Sequence, residues 1–343
     1  MPPNIPASLA TYIQACLEHR ASTLITSILS TPSTWLALRV VYAAIYGVED
    51  SVLGRHGAAA APGPNNETRP VIFVSLLRPL SLWVEMGRKV GFDIPLLLKR
   101  KGIVYIDGMS LDGGSTQSSP GSTDGSALPT VKLKSLSLHD VQEAITTGLK
   151  ALTSTSASTS TPTLPRSTPS GTPTPRMPPP SATRASANAA VSTSPAQLLT
   201  TSSSPLILID GVDFILASQP SVTSPLLDSF LGSLLIQGHS LVVTGHADAP
   251  LLHPAMSGDV GTPLERDHAY FMTTQAHHSR WVWQLRGLDT GSAKDVTGVI
   301  RVNRGGSMDF EEDEAGNIER PTDIERLYQL KGDGSVRIWS RGE

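Results

Sequence analysis

Cysteine is all but absent: Cys16 is the only one in 343 residues. No disulfide framework can exist, and a reducing compartment is expected. Strong net charge is missing too. The formal value of -3 gives no global attraction to nucleic acid or to an anionic membrane, so any such contact needs a local patch. No hydrophobic run is long enough to cross a bilayer. The longest, Trp35 to Val48, is interrupted by Arg39 and reads as a buried helix. The opening MPPNIPASLA has neither the basic start nor the apolar run of a secretory signal. A soluble intracellular protein without membrane contact is expected.

Chemical motifs are equally scarce. No GxxxxGK[ST] and no GxSxG occurs anywhere, which argues against a phosphate-cradling loop and against a serine nucleophile on an elbow turn. Cys16 has His19 near it in sequence only. His268, His277 and His278 lie near Asp267 without zinc-ligand spacing, so they read as surface or interface histidines. No metal or cofactor is expected.

What is present is one domain's worth of folding text interrupted by polar insertions. From Ala151 to Pro205, 43 of 55 residues are Ser, Thr, Pro or Ala and none is acidic; such text cannot bury enough apolar surface to offset its ordering entropy and reads as disordered. Residues 108–130 form a second polar loop and 54–68 a third. The remainder suits a single domain across 1–343, given roughly 100–200 residues per domain.

That remainder alternates. Apolar strands are expected at Thr23–Leu29, Val71–Ser75, Ile103–Ile106, Leu206–Ile209 and Leu241–Val243. Helices are expected at Trp35–Tyr46, Leu80–Val90, Leu136–Leu149, with Ser137 or Asp140 as cap, and Ser224–Ile236. Such alternation predicts an α/β fold with a mostly parallel sheet covered on both faces. From Trp281 onward the text changes to strands joined by turns. Val299 to Asn303 alternates with a period of two and Gly305-Gly306 stop it, which reads as a sheet edge. Asp333-Gly334 marks a hairpin between Tyr328–Lys331 and Val336–Trp339.

In parallel sheets ligands bind beyond the carboxyl ends of the strands, and here two strands end alike, in Ile-Asp-Gly at Asp107 and at Asp210. Asp210 occupies a Walker-B-like position, from which a carboxylate can hold a nucleotide-bound magnesium ion; the alternative is that both aspartates cap their turns. The turn where a phosphate loop belongs is Ser30-Thr31-Pro32-Ser33-Thr34, without glycine or lysine, and Pro32 removes an amide donor. The phosphate loop is thus degenerate, and no ATPase activity of the chain's own is expected. Candidate nucleic-acid contacts are Lys99, Arg100 and Lys101, ahead of a core strand, and Lys132 and Lys134, beside a polar loop.

The run Ala293-Lys294-Asp295-Val296-Thr297-Gly298, continuing to Val302, Arg304, Gly305 and Gly306, resembles the AKDVTG…V-x-RGG signature of subunit 6 of the Elongator complex. The order of elements agrees along the ordered chain; the specific text lies in the C-terminal quarter. The resemblance implies a non-catalytic RecA-like subunit in a heterohexameric ring with subunits 4 and 5. The ring serves the catalytic core of subunits 1 to 3, binds tRNA and supports wobble uridine modification. It also implies a cytoplasmic location, with the nucleus as a second compartment. Lys294, Asp295, Arg301 and Arg304 would then face a neighbouring subunit, Arg being favoured at interfaces for its planar fork. Two other readings stay open: an active RecA/KaiC-like ATPase with a diverged phosphate site, and a scaffold without RNA contact.

Overall fold

The computed structural model describes residues 5–48, 68–111, 128–153, 204–257, 261–291, 293–306 and 322–342. The expected insertions at 54–68, 108–130 and 151–205 lie almost wholly outside them. In chain order the elements begin with α1 (Ala10–Cys16), β1 (Ser22–Ser27), α2 (Thr34–Tyr46), β2 (Val71–Ser75), α3 (Leu80–Lys89), α4 (Ile94–Lys99), β3 (Ile103–Asp107) and β4 (Thr130–Lys132). They continue with α5 (Leu138–Thr153), β5 (Leu206–Asp210), α6 (Phe214–Ser218), α7 (Ser224–Gln237), β6 (Ser240–His246), α8 (Ala249–Ser257), α9 (Pro263–His278), β7 (Trp281–Arg286), β8 (Gly298–Arg304), β9 (Ile324–Leu330) and β10 (Val336–Trp339).

Ten strands form one sheet in the order β10-β9-β8-β7-β1-β6-β5-β2-β3-β4. The seven from β7 to β4 are parallel, and β8, β9 and β10 add an antiparallel meander. The strand that feeds α2 lies between β6 and β7, the strands that follow it latest in the parallel set. This is the arrangement of a RecA-like sheet, with antiparallel strands added at the C-terminal side.

The central strands read as continuous apolar runs because both of their faces are covered. In β5, Leu206 and Leu208 point into the core shared with α2, while Ile207 and Ile209 point into the core under α7. All residues of β2 and β5 are buried, and each such apolar side chain contributes roughly 1.5–3 kcal/mol by leaving water. α2 is buried from Thr34 to Ile45: the sheet lies below it and the C-terminal hairpin against it, with the Trp35 and Tyr328 rings 5.2 Å apart. It stops where Gly47 takes a φ of 84°, a left-handed conformation that glycine reaches without Cβ strain.

Several expectations need correction. The Ala293–Gly306 text is not a sheet edge, since β8 lies between β7 and β9 and the edge on that side is β10. Its other neighbour, β9, lies beyond a polar stretch that hides the pairing from sequence. α5 runs to Thr153, so the first residues assigned to the long insertion are helical, and of its two candidate caps Ser137 is the one that serves, its Oγ accepting from the Asp140 amide at 3.2 Å. α9 was not anticipated. Its capping box is complete: the Glu265 amide donates to Thr262 Oγ1 at 3.3 Å and the Thr262 amide to Glu265 Oε2 at 2.7 Å. Among the described residues no helix is long and apolar enough to cross a membrane.

Candidate functional site

The carboxyl ends of the parallel strands form a polar rim. Register places Asp107 opposite Lys132 and Ser75, Ser75 opposite Asp210, and Ser27 opposite His246. The two Ile-Asp-Gly ends behave differently. Asp107 caps its own turn, accepting from the amides of Met109 at 2.9 Å and Ser110 at 3.1 Å. Asp210 is wholly buried: its Oδ1 accepts from Arg78 at 2.6 Å and Thr244 at 3.0 Å, and its Oδ2 lies 3.3 Å from Ser75 Oγ. The Arg78 side chain is 17% exposed and that of Asp210 not at all, so the ion pair is largely dry.

Arg78 is held from behind as well. Its carbonyl accepts from Ser75 Oγ at 2.8 Å and from the Tyr105 hydroxyl at 3.0 Å, and Trp83 Nε1 donates to Ser75 Oγ at 3.0 Å. The loop after β2 is thereby drawn over the end of β5. Gly211, at φ 78°, lets Leu77 pack where a Cβ would otherwise sit. A carboxylate so engaged does not fit a nucleotide-bound magnesium ion, which needs oxygens turned outward with their charge uncompensated.

The turn between β1 and α2 is equally occupied. The Thr31 amide donates to the Ile28 carbonyl at 2.9 Å, and Thr31 Oγ1 to the Leu285 carbonyl at 3.1 Å. The Leu29 amide donates to Asp248 Oδ1 at 3.1 Å. The Leu29 and Thr31 amides are thus spent inside the protein, and Asp248 brings a negative charge against the turn.

Beside Asp210, Asp213 Oδ2 receives the Nδ1 of His246 at 2.8 Å and its amide at 3.2 Å, whereas Asp213 Oδ1, buried, has no hydrogen-bond partner. The hydrogen bond to Asp213, more than that residue's charge, raises the His246 pKa above its ordinary value near 6.5, against partial desolvation. A histidine raised on folding adds stability that is fully present below the unfolded value and is lost as pH rises through the folded one. His246→Gln should therefore lower the melting temperature most at about pH 6, and the gap to the unsubstituted protein should narrow at higher pH. A gap that stays constant with pH would show that the pair contributes no charge-dependent stability.

Sequence reasoning singled out Asp210 but missed Arg78, Ser75, Thr244, Asp213 and His246, each of them one to three residues past a strand or at its last turn. The rule that ligands gather at strand ends would have drawn attention to them; their mutual pairing was invisible. Cys16 is buried and burial pushes its thiol up to about 12, which suits packing and not a nucleophile. His268, read as a surface or interface residue, is buried within the chain, with Nε2 2.9 Å from the His246 carbonyl, while His278 Nδ1 meets Asp228 Oδ1 at 2.9 Å. Among the described residues, the one group with metal-ligand proximity is the mostly exposed His139, Asp140 and Glu143; there Lys134 pairs with Glu143 at 2.8 Å and Ser135 donates to Asp140 at 2.6 Å.

The candidate nucleic-acid residues are not brought together. Lys99, Arg100 and Lys101 are exposed and lie ahead of the amino end of β3, whereas Lys132 ends β4 at the opposite pole, with Lys134 just beyond it. Of the candidate interface residues, Lys294 and Asp295 form the exposed tip of a turn closed by the Ala293 and Val296 bridge. Arg301 is exposed and lies in register with Gln284 and Glu325, and Arg304 ends β8, its amide donating to Asp323 at 3.2 Å. The glycines of the same text are explained by packing. A Cβ on Gly298 would meet the Arg286 carbonyl at 2.6 Å, and one on Gly305 would run into the carbonyls of Ser279 and Ala276.

No known family model matches the chain, and no curated protein matches its sequence. In structure it is similar to a KaiC-like protein from the hyperthermophilic archaeon Pyrococcus horikoshii OT3, at 14% identity and a TM-score of 0.45, over 98% of this chain and 97% of that one. The strand order, rather than that likeness, assigns this chain a RecA-like fold.

Proposed function

We propose that the chain is a non-catalytic accessory subunit of the Elongator complex, assembled with subunits 4 and 5 into a heterohexameric RecA-like ring that binds tRNA and supports wobble uridine modification by the catalytic core of subunits 1 to 3. The observation that carries the non-catalytic part is the Asp210 carboxylate, wholly buried and held through Oδ1 by Arg78 and Thr244. The partner assignment rests on the Ala293–Gly306 text. On this reading Lys294, Asp295, Arg301 and Arg304 face a neighbouring subunit. Lys99, Arg100 and Lys101, exposed and without an ion pair among the described residues, contact the tRNA backbone.

Co-expression with subunits 4 and 5 followed by native mass spectrometry tests the assembly. A hexamer with two copies of each subunit is expected, and co-purification of neither partner would overturn the proposal. Within the hexamer, Lys99→Glu with Arg100→Glu and Lys101→Glu should weaken tRNA binding and flatten its salt dependence, because fewer counterions are released; unchanged affinity and slope would remove that patch from the site. Appreciable ATP turnover by the isolated chain, lost in Asp210→Asn, would make it an active ATPase instead.

A further inference from the structure

On the opposite face of the sheet from α7 and α9, a cavity of about 330 Å³ opens between α2, α3 and the β9–β10 hairpin. Its size falls at the lower end of small-ligand pockets, roughly 300–1,000 Å³. Trp35, Leu38 and Met86 give it apolar walls, Arg39, Lys89 and Lys331 also line it, and among the described residues no acidic one does.

Arg39 is the unusual member. It is 3% exposed and pairs with no carboxylate among the described residues. Its Nη1 donates to the Trp35 carbonyl at 3.0 Å and its Nη2 to the Gly334 carbonyl at 2.7 Å, it lies 5.4 Å from the Trp35 ring centre, and its Nε has no partner. Burial lowers its pKa to about 10, so it remains charged at neutral pH. A desolvated guanidinium is costly unless an anion compensates it, and its planar fork matches a carboxylate. Among the described residues, two acids on the elements that line the pocket are engaged elsewhere: Glu85 lies 3.5 Å from Lys89 Nζ, and Asp333 accepts from the Ser335 hydroxyl and amide at 2.7 and 2.8 Å.

We propose that this pocket binds a small organic acid, its carboxylate held by Arg39 with Lys89 and Lys331 at the mouth, and its apolar body packed against Leu38, Met86 and the Trp35 ring. The site is independent of ring membership and of the polar rim. Calorimetric titration of the purified full chain with 3-phenylpropionate and with its neutral amide tests it. The acid should bind about tenfold or more tightly than the amide, since only the acid forms charge-assisted hydrogen bonds. Arg39→Met should abolish that preference. Lys89→Ala with Lys331→Ala, both exposed positions, should weaken the acid several-fold without moving the melting temperature, and this pair decides the matter if the Arg39 variant does not fold. Equal binding of acid and amide, no binding of the acid at millimolar concentration, or full acid affinity in the double variant would overturn the proposal.

Discussion

Asp210→Ala lowers the melting temperature by roughly 10 °C. The substitution leaves Arg78 charged and largely dry, and deprives Thr244 of its acceptor. Breaking a buried pair by removing one partner costs roughly 3–5 kcal/mol. The partial exposure of Arg78 places this case near the lower end, and each 1 kcal/mol moves the midpoint by about 2–4 °C at this size. Asp210→Leu combined with Arg78→Met should recover much of the loss, because the charge is removed from both sides. Calorimetric melting of the variants decides it. A single substitution that melts with the unsubstituted protein would mean that Asp210 is not a structural carboxylate, and a role toward a ligand would have to be considered afresh.

The second large effect is expected at Gly305. Its amide donates to the Arg280 carbonyl at 3.0 Å, and a Cβ would collide with backbone carbonyls of Ser279 and Ala276. Backbone at the junction of a helix and a strand cannot yield as a side chain does, so Gly305→Ala should cost about 3 kcal/mol, at the upper end of ordinary overpacking. Gly332→Ala is the control, because nothing lies within 4 Å of its added Cβ, and it should stay within about 0.5 kcal/mol of the unsubstituted protein. Urea midpoints of the two variants provide the comparison. Equal midpoints would show that β8 can shift to make room, and that the Gly305-Gly306 text serves something other than packing.

What could be read from the sequence follows from range. The buried strands at Val71–Ser75 and Leu206–Ile209 and the hairpin at Asp333-Gly334 carry local signals, namely unbroken apolar text and a turn that only certain residues can make. α9 was legible in principle through Thr262-Pro263 and Glu265, yet its mean polarity and three histidines masked the capping box. Arg78 and Asp210 are 132 positions apart, and no local rule joins them. Neither could any pattern reveal that Arg39, read as an interruption in an apolar helix, ends beneath a hairpin almost three hundred residues later in the chain; the interval to Gly334 is 295. The placement of β8 inside the sheet was lost for the same reason.

The position of β1 in the sheet governs when the protein can be finished. Both neighbours of this early strand come from the far end of the chain; Thr26 Oγ1 donates to the carbonyl of Trp283, 257 residues on. While the polypeptide is being synthesised, β1 and α2 therefore emerge with no mates, and their apolar surfaces must wait until β6 and β7 have left the ribosome. Closing so long a loop is slow, and the waiting segment, including α2, buried from Thr34 to Ile45, is the part of the nascent chain most exposed to misassociation. Truncation anywhere before Trp281 leaves that first strand without one of its two partners.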